Sequence, residues 1–144
     1  MPTFLAFDFG QRRIGVAVGQ DTIGTAQDLA TVSANAVGPD WSHISRLIDE
    51  WHPYALVVGL PIQLDGQEGS AARQVRKFGD ALRDRYNLDV HFVDERFTTE
   101  AADRALRSAD LPERRARSMR DRIAAQYILQ TFLEQQSRSG LESD

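Results

Sequence analysis

The run YALVVGLP, Tyr54 to Pro61, carries no charged side chain and lies between two amphipathic stretches. A short apolar run containing β-branched residues reads as a strand covered on both faces. Such a strand requires helices above and below its sheet, which restricts the chain to the α/β class. The flanking sequence supplies them. Asp40 stands at an N-cap position, and Ile44, Leu47, Ile48 and Trp51 recur at helical spacing up to Pro53. Beyond a turn marked by Asp65 and Gly66, a helix from Ser70 to Tyr86 places Ala72, Val75, Phe78, Gly79 and Leu82 on one stripe.

The N-terminal third has a different rhythm. Residues 3–9 and 14–20 are strand-like runs joined by GQRR, and Thr25 to Ser33 forms a third, so the chain opens as an antiparallel meander. The polar NAVGPD that follows reads as a connection. After the second helix, DVHFVDER gives a fifth strand. A further helix is expected over TTEAADRALRSAD with Thr98 as its cap, then a mobile basic loop at LPERRARS, then a last helix from Met119 to Gln136. The expectation is one mixed five-stranded sheet, its first three strands antiparallel, flanked by helices. At 144 residues this is a single domain, placed at 1–136 with a polar tail over 137–144.

Composition excludes several classes of function. No apolar run is long enough to cross a bilayer, and no basic-then-apolar leader opens the chain, so a cytoplasmic protein with no membrane partner is expected. The absence of cysteine removes disulfides and thiolate metal sites, and His43, His52 and His91 show no ligand spacing. A net charge of −4 argues against a protein that coats nucleic acid. Its distribution says more. Sixteen of the 17 basic residues are arginine, and seven of them lie between Arg104 and Arg122 against three acids. Arginine's planar fork matches phosphate oxygens in pairs, although a solvated arginine-rich helix face has the same composition.

Three carboxylates stand where carboxylates are costly. Asp8 interrupts an apolar strand, and a lone ionised acid there costs several kcal/mol unless it is paired, hydrogen-bonded or bound to metal. Capping the turn at Gly10 is the plainer alternative. Asp94 and Glu95 end the fifth strand, where alternation sends them to opposite faces, so only one can share a side with Asp8. Pairing with Arg96 would also explain an acid at that position. Asp121 heads the stripe of Ala125, Ile128 and Phe132, yet Ser118 and Asp121 also have the spacing of a capping box. Together they describe three acids brought together from the first strand, the fifth strand and the final helix. Clustered carboxylates raise one another's pKa unless cations intervene. Oxygen-only donors call for Mg2+ or Mn2+, and two such ions about 4 Å apart suit in-line phosphodiester cleavage.

FDFGQRRIGVAVG, VVGLPIQLDGQEG followed by VRKF, DERFTTEAA and DRIAAQYILQTFL stand in the order and spacing of the YqgF (RuvX) family, which this chain resembles from Phe4 to Glu134. The resemblance implies an RNase H-like fold, kinship with RuvC resolvases and a nuclease role in maturing the 5′ end of pre-16S rRNA. It also implies Asp8, Glu95 and Asp121 as catalytic acids and metal ligands. Phe97 and Thr98 depart from the family's Leu and Ser. Substrate contacts are expected from Arg12, Arg13, Arg96, Arg114, Arg115 and Arg117. The GLPIQLDGQEG segment, with Gly59, Asp65 and Gly66, could cradle a phosphate at a helix end or form a structural turn.

The expected partner is structured RNA, pre-16S rRNA, with branched DNA as the alternative; monomer and homodimer both remain open. The DFG motif followed by GVA also resembles a nucleotide-binding phosphate loop. Proteins of that type close two such domains on their ligand, and one is present here. A non-catalytic nucleic-acid-binding module is the remaining alternative.

Overall fold

The computed structural model describes residues 2–21, 24–95 and 113–142, with side chains placed through 115–136 in the last stretch. Six strands form one sheet in the order β4-β3-β2-β1-β5-β6. They are β1 (Thr3–Phe9), β2 (Arg13–Gln20), β3 (Thr25–Asn35), β4 (Gly38–Pro39), β5 (Ala55–Leu60) and β6 (Asp89–Asp94). Strands β1 to β4 pair antiparallel with their neighbours in sequence, while β5 lies parallel to β1 and β6 parallel to β5. Three helices among the described residues complete it: α1 (Trp41–Trp51), α2 (Ser70–Tyr86) and α3 (Glu113–Glu142).

Every residue of β5 is buried, as its unbroken apolar run requires. Alternation along the strands then builds two cores. Leu5, Phe7, Ile14, Val16, Leu56 and Val58 face α1 and α2, where they meet Ile44, Leu47, Phe78 and Leu82. Phe4, Ala6, Ala17, Ala55 and Val57 face α3, where they meet Ala125, Ile128, Leu129 and Phe132. Each large side chain fully buried this way contributes about 1.5–3 kcal/mol. The small residues of this face, Ala6, Gly15, Ala17 and Gly59, let α3 lie close to the sheet.

Three expectations need correction. The sheet has six strands because β3 runs on to Asn35 and turns back; the Asn35 side-chain oxygen accepts from the amides of Val37 and Gly38, and Gly38 takes a φ of 131° that favours glycine. That fold-back hides within NAVGPD, too short to show any apolar period. The basic loop is helix from Glu113 onward, six residues before the expected start. Arginine and alanine are good helix formers, so this stretch is helical without an apolar stripe of its own. The backbone also stays helical to Glu142, through most of the segment read as a tail. The helix expected after Thr98 lies outside the described residues.

Asp40 caps α1 as its position predicts, its carboxylate accepting from the His43 amide at 3.3 Å. No helix among the described residues is long and apolar enough to cross a membrane.

Candidate active site

Asp8 lies near the end of β1 on the α3 face and is flanked on both sides by glycine. Gly15 is its cross-strand partner on β2, and the pairing of Phe7 with Val58 puts Gly59 beside it on β5. Neither position has room for a side chain. A Cβ on Gly15 would run into the backbone carbonyl of Asp121, and one on Gly59 would meet Glu95 Oε2 at 2.6 Å as well as the Ile128 side chain. The two glycines form a hollow in the sheet. Over one lies the first half of α3 and over the other the carboxylate of Glu95.

Glu95 follows the last residue of β6, and its amide still donates to the Leu60 carbonyl at 3.2 Å, so the alternation continues past the strand end. Of the two acids there, Glu95 is the one that reaches Asp8, and the two carboxyls are hydrogen-bonded. Burial, then the negative charges of Glu95 and Asp121, push the Asp8 carboxyl up to about 8. Glu95 is also raised, by burial first and by the neighbouring charge of Asp94. The pair therefore shares a proton near neutral pH.

Asp121 is held differently. Helix α3 begins upstream, so Ser118 is interior to the helix and the capping-box alternative falls away; the Ser118 hydroxyl instead meets Thr31 Oγ1 at 2.9 Å. The Asp121 carboxylate accepts from Arg13 Nε at 2.6 Å. This ion pair is half-buried, with side-chain exposures of 36% for Arg13 and 19% for Asp121, so solvent weakens it only in part. Farther along α3, Gln126 and Gln130 clamp the start of β3: Gln126 donates to the Ala26 carbonyl at 3.0 Å, and Gln130 accepts from its amide at 3.1 Å. These contacts fix the height and rotation of α3 and hence the position of Asp121.

All three sequence-predicted acids thus share one face and one electrostatic neighbourhood. Two are in direct contact, while the third is held by an arginine. Among the described residues no group of three acids or histidines is arranged to hold an ion. The Asp8–Glu95 pair nonetheless fits a hard divalent cation: its donors are all oxygen, and its crowded charge is held in check by a proton that a cation would replace.

The other expected residues scatter. Arg12 turns to the opposite face from Arg13 and lines a cavity with Phe9 and Gln11. Arg115 and Arg117 are exposed on the first turns of α3. The side chain of Arg114 and all of Arg96 lie outside the described residues. In the loop after β5, the Gly66 amide donates to the Gln63 carbonyl and the Gln67 amide to Asp65, which is the hydrogen bonding of a structural turn. Gly59 makes room for Glu95. Sequence reasoning missed the role of Gly15, although GVAVG contained the signal: small residues at 15, 17 and 19 all project to one face.

Residues 2–135 match the RuvX family model, whose description is Holliday junction resolvase. A protein of Methylobacillus flagellatus is 42% identical over 130 residues, covering 90% of this chain and 89% of the relative. A second, from Chromohalobacter salexigens, is 48% identical over 128 residues, covering 89% and 86%. Both bear the name "Putative pre-16S rRNA nuclease". Among solved structures, the fowlpox virus resolvase in complex with Holliday junction DNA aligns with a TM-score of 0.56 at 13% identity, over 92% of this chain and 97% of that one. Identity that low speaks to fold alone, and the fold is RNase H-like.

Proposed function

The chain belongs to the RuvX family, and on that premise we propose that it is a divalent-cation-dependent endonuclease that processes the 5′ end of pre-16S rRNA in the cytoplasm. The observation that carries this reading is the Asp8–Glu95 carboxyl pair, sunk between two glycines at the carboxyl ends of parallel strands with Asp121 alongside. Such a pair serves no purpose in packing, since burial and repulsion both work against it.

When bound, Mg2+ or Mn2+ supplies a polarised water and neutralises charge on the phosphate; two ions suit in-line displacement. The chain's own residues prepare that chemistry. Asp8 and Glu95 provide the anionic oxygens and give up their shared proton. The hollow over Gly15 and Gly59 keeps the carboxylates from moving apart. Arg13 neutralises Asp121, and once released from that pair its guanidinium would be free to meet a phosphate oxygen. Arg115 and Arg117 extend a cationic path along α3 for the strand backbone.

Arg13 gives this reading a quantitative expectation. In Arg13→Gln the positive charge beside the acids is gone and Asp121 is released, so affinity for Mn2+ rises by about tenfold. Affinity for RNA falls in the same variant. Calorimetric titration with Mn2+ checks the first effect; weaker Mn2+ binding would instead make Arg13 a group that orients Asp121 for the metal.

A second substrate deserves a direct test because the family model is described by Holliday junction cleavage. The experiment is cleavage of precursor 16S rRNA and of a DNA four-way junction side by side, at matched ionic strength. Cutting of the rRNA precursor at its 5′ side is the expected result. Cutting confined to the junction would reassign the substrate, and cutting of neither would end the nuclease reading.

A further inference from the structure

The turn between β1 and β2 sends two consecutive arginines to opposite faces of the sheet. Arg13 goes to the acids, whereas Arg12 lines an open cavity of about 520 Å3 on the α1 and α2 side, together with Phe9, Gln11, Asn35, Gly38 and Pro39. The cavity starts one residue beyond Asp8. It opens at the same end of the sheet as the carboxylates.

Its lining has a specific polarity. Arg12 makes no ion pair with any described residue, and no carboxylate lines the cavity among the described residues. The Asn35 side-chain oxygen is committed to the amides of Val37 and Gly38, which leaves its NH2 group as a donor. Phe9, Ala34 and Pro39 add apolar surface. The walls are also fixed in advance: the Ala34 amide donates to the Arg12 carbonyl at 2.9 Å, tying the β1–β2 turn to the β3–β4 hairpin. A cationic fork, amide donors and an apolar floor in one preformed recess match the phosphate, base edge and base face of a nucleotide.

We propose that this cavity binds a nucleotide of the substrate strand a few positions from the scissile phosphate, so that the strand passes around the β1–β2 turn between Arg13 and Arg12. The site rests on the nuclease reading for its choice of ligand. It assigns substrate discrimination to the two hairpins, away from the reacting acids.

The test uses the Asp8→Asn protein and fluorescence anisotropy with labelled single-stranded RNA of about three, six and nine nucleotides at one ionic strength. Affinity should step up by about tenfold once the strand is long enough to round the turn. Ala36→Trp, which fills the cavity from its exposed rim, should abolish the step. Arg12→Gln should abolish it and lower the slope of log affinity against log salt by about 0.7, the loss of one phosphate contact. A parent with no step, or a step that survives both variants, overturns the proposal. Cleavage by the chain with Asp8 intact is measured alongside. If that chain cuts RNA while the step is absent, only the cavity assignment fails. A step retained by a chain that cuts nothing would leave the cavity standing as a nucleotide site and remove the nuclease reading.

Discussion

Replacing Asp8 with asparagine abolishes metal-dependent phosphodiester cleavage, a loss of about a thousandfold or more, and at the same time makes the metal-free protein more stable near pH 8. The two effects have one cause. Asp8 is ordinarily ionised above 3.8, but in the folded chain its carboxyl is pushed up to about 8 by burial and by Glu95 and Asp121. Between those values the folded state holds a proton that the unfolded state has released, so stability falls as pH rises through this window and is greatest below it. Asparagine has nearly the same shape and no charge to bury. The parent's melting temperature should therefore drop on the order of 10 °C between about pH 5 and pH 8 without divalent cations, and that of Asp8→Asn should drop much less. Thermal melts at several pH values, run beside a cleavage assay, read both. A mutant that cuts like the parent, or that shares its full pH dependence, would place the reacting acid elsewhere.

The second large effect comes from a residue without a side chain. Gly15→Ala puts a methyl group where the Asp121 carbonyl lies, a clash with backbone atoms that no rotamer change can relieve. Helix α3 must lift from β2, and with it goes the packing of Ala125, Ile128 and Leu129 on the sheet. Overpacking of this kind costs about 3 kcal/mol, which for a domain of this size is on the order of 10 °C in melting temperature. Cleavage should fall about a hundredfold as well, because Asp121 separates from Arg13 and from the Asp8–Glu95 pair. Melting curves and kcat/KM for the same preparation separate the two losses. Wild-type values of both would mean that α3 does not set the height of the site.

Much of this was written plainly in the chain. The buried strand β5 and the stripes of α1 and α2 have unambiguous periods, and their alternation carries straight through to the two cores. The same alternation separated Asp94 from Glu95 correctly. Where the sequence misled, the missing information was tertiary. LPERRARS has no apolar stripe because the part of it in α3 shows mostly solvated or half-buried side chains, and a helix held by its later turns does not need one at its start. Ser118 and Asp121 have capping-box spacing, but only the upstream start of α3 reveals that the box is never formed. The Arg13–Asp121 pair joins residues 108 positions apart, and no local pattern announces it.

Burial and mutual repulsion lead Asp8 and Glu95 to keep a proton in the place of a metal ion. Calorimetric titration of Mn2+ into the protein at about pH 7.5, repeated in buffers of different ionisation enthalpy, addresses it directly. Binding by the parent should be accompanied by release of most of a proton, with neither binding of that strength nor release in Asp8→Asn. Binding without proton release, or equal binding by the two proteins, would contradict it.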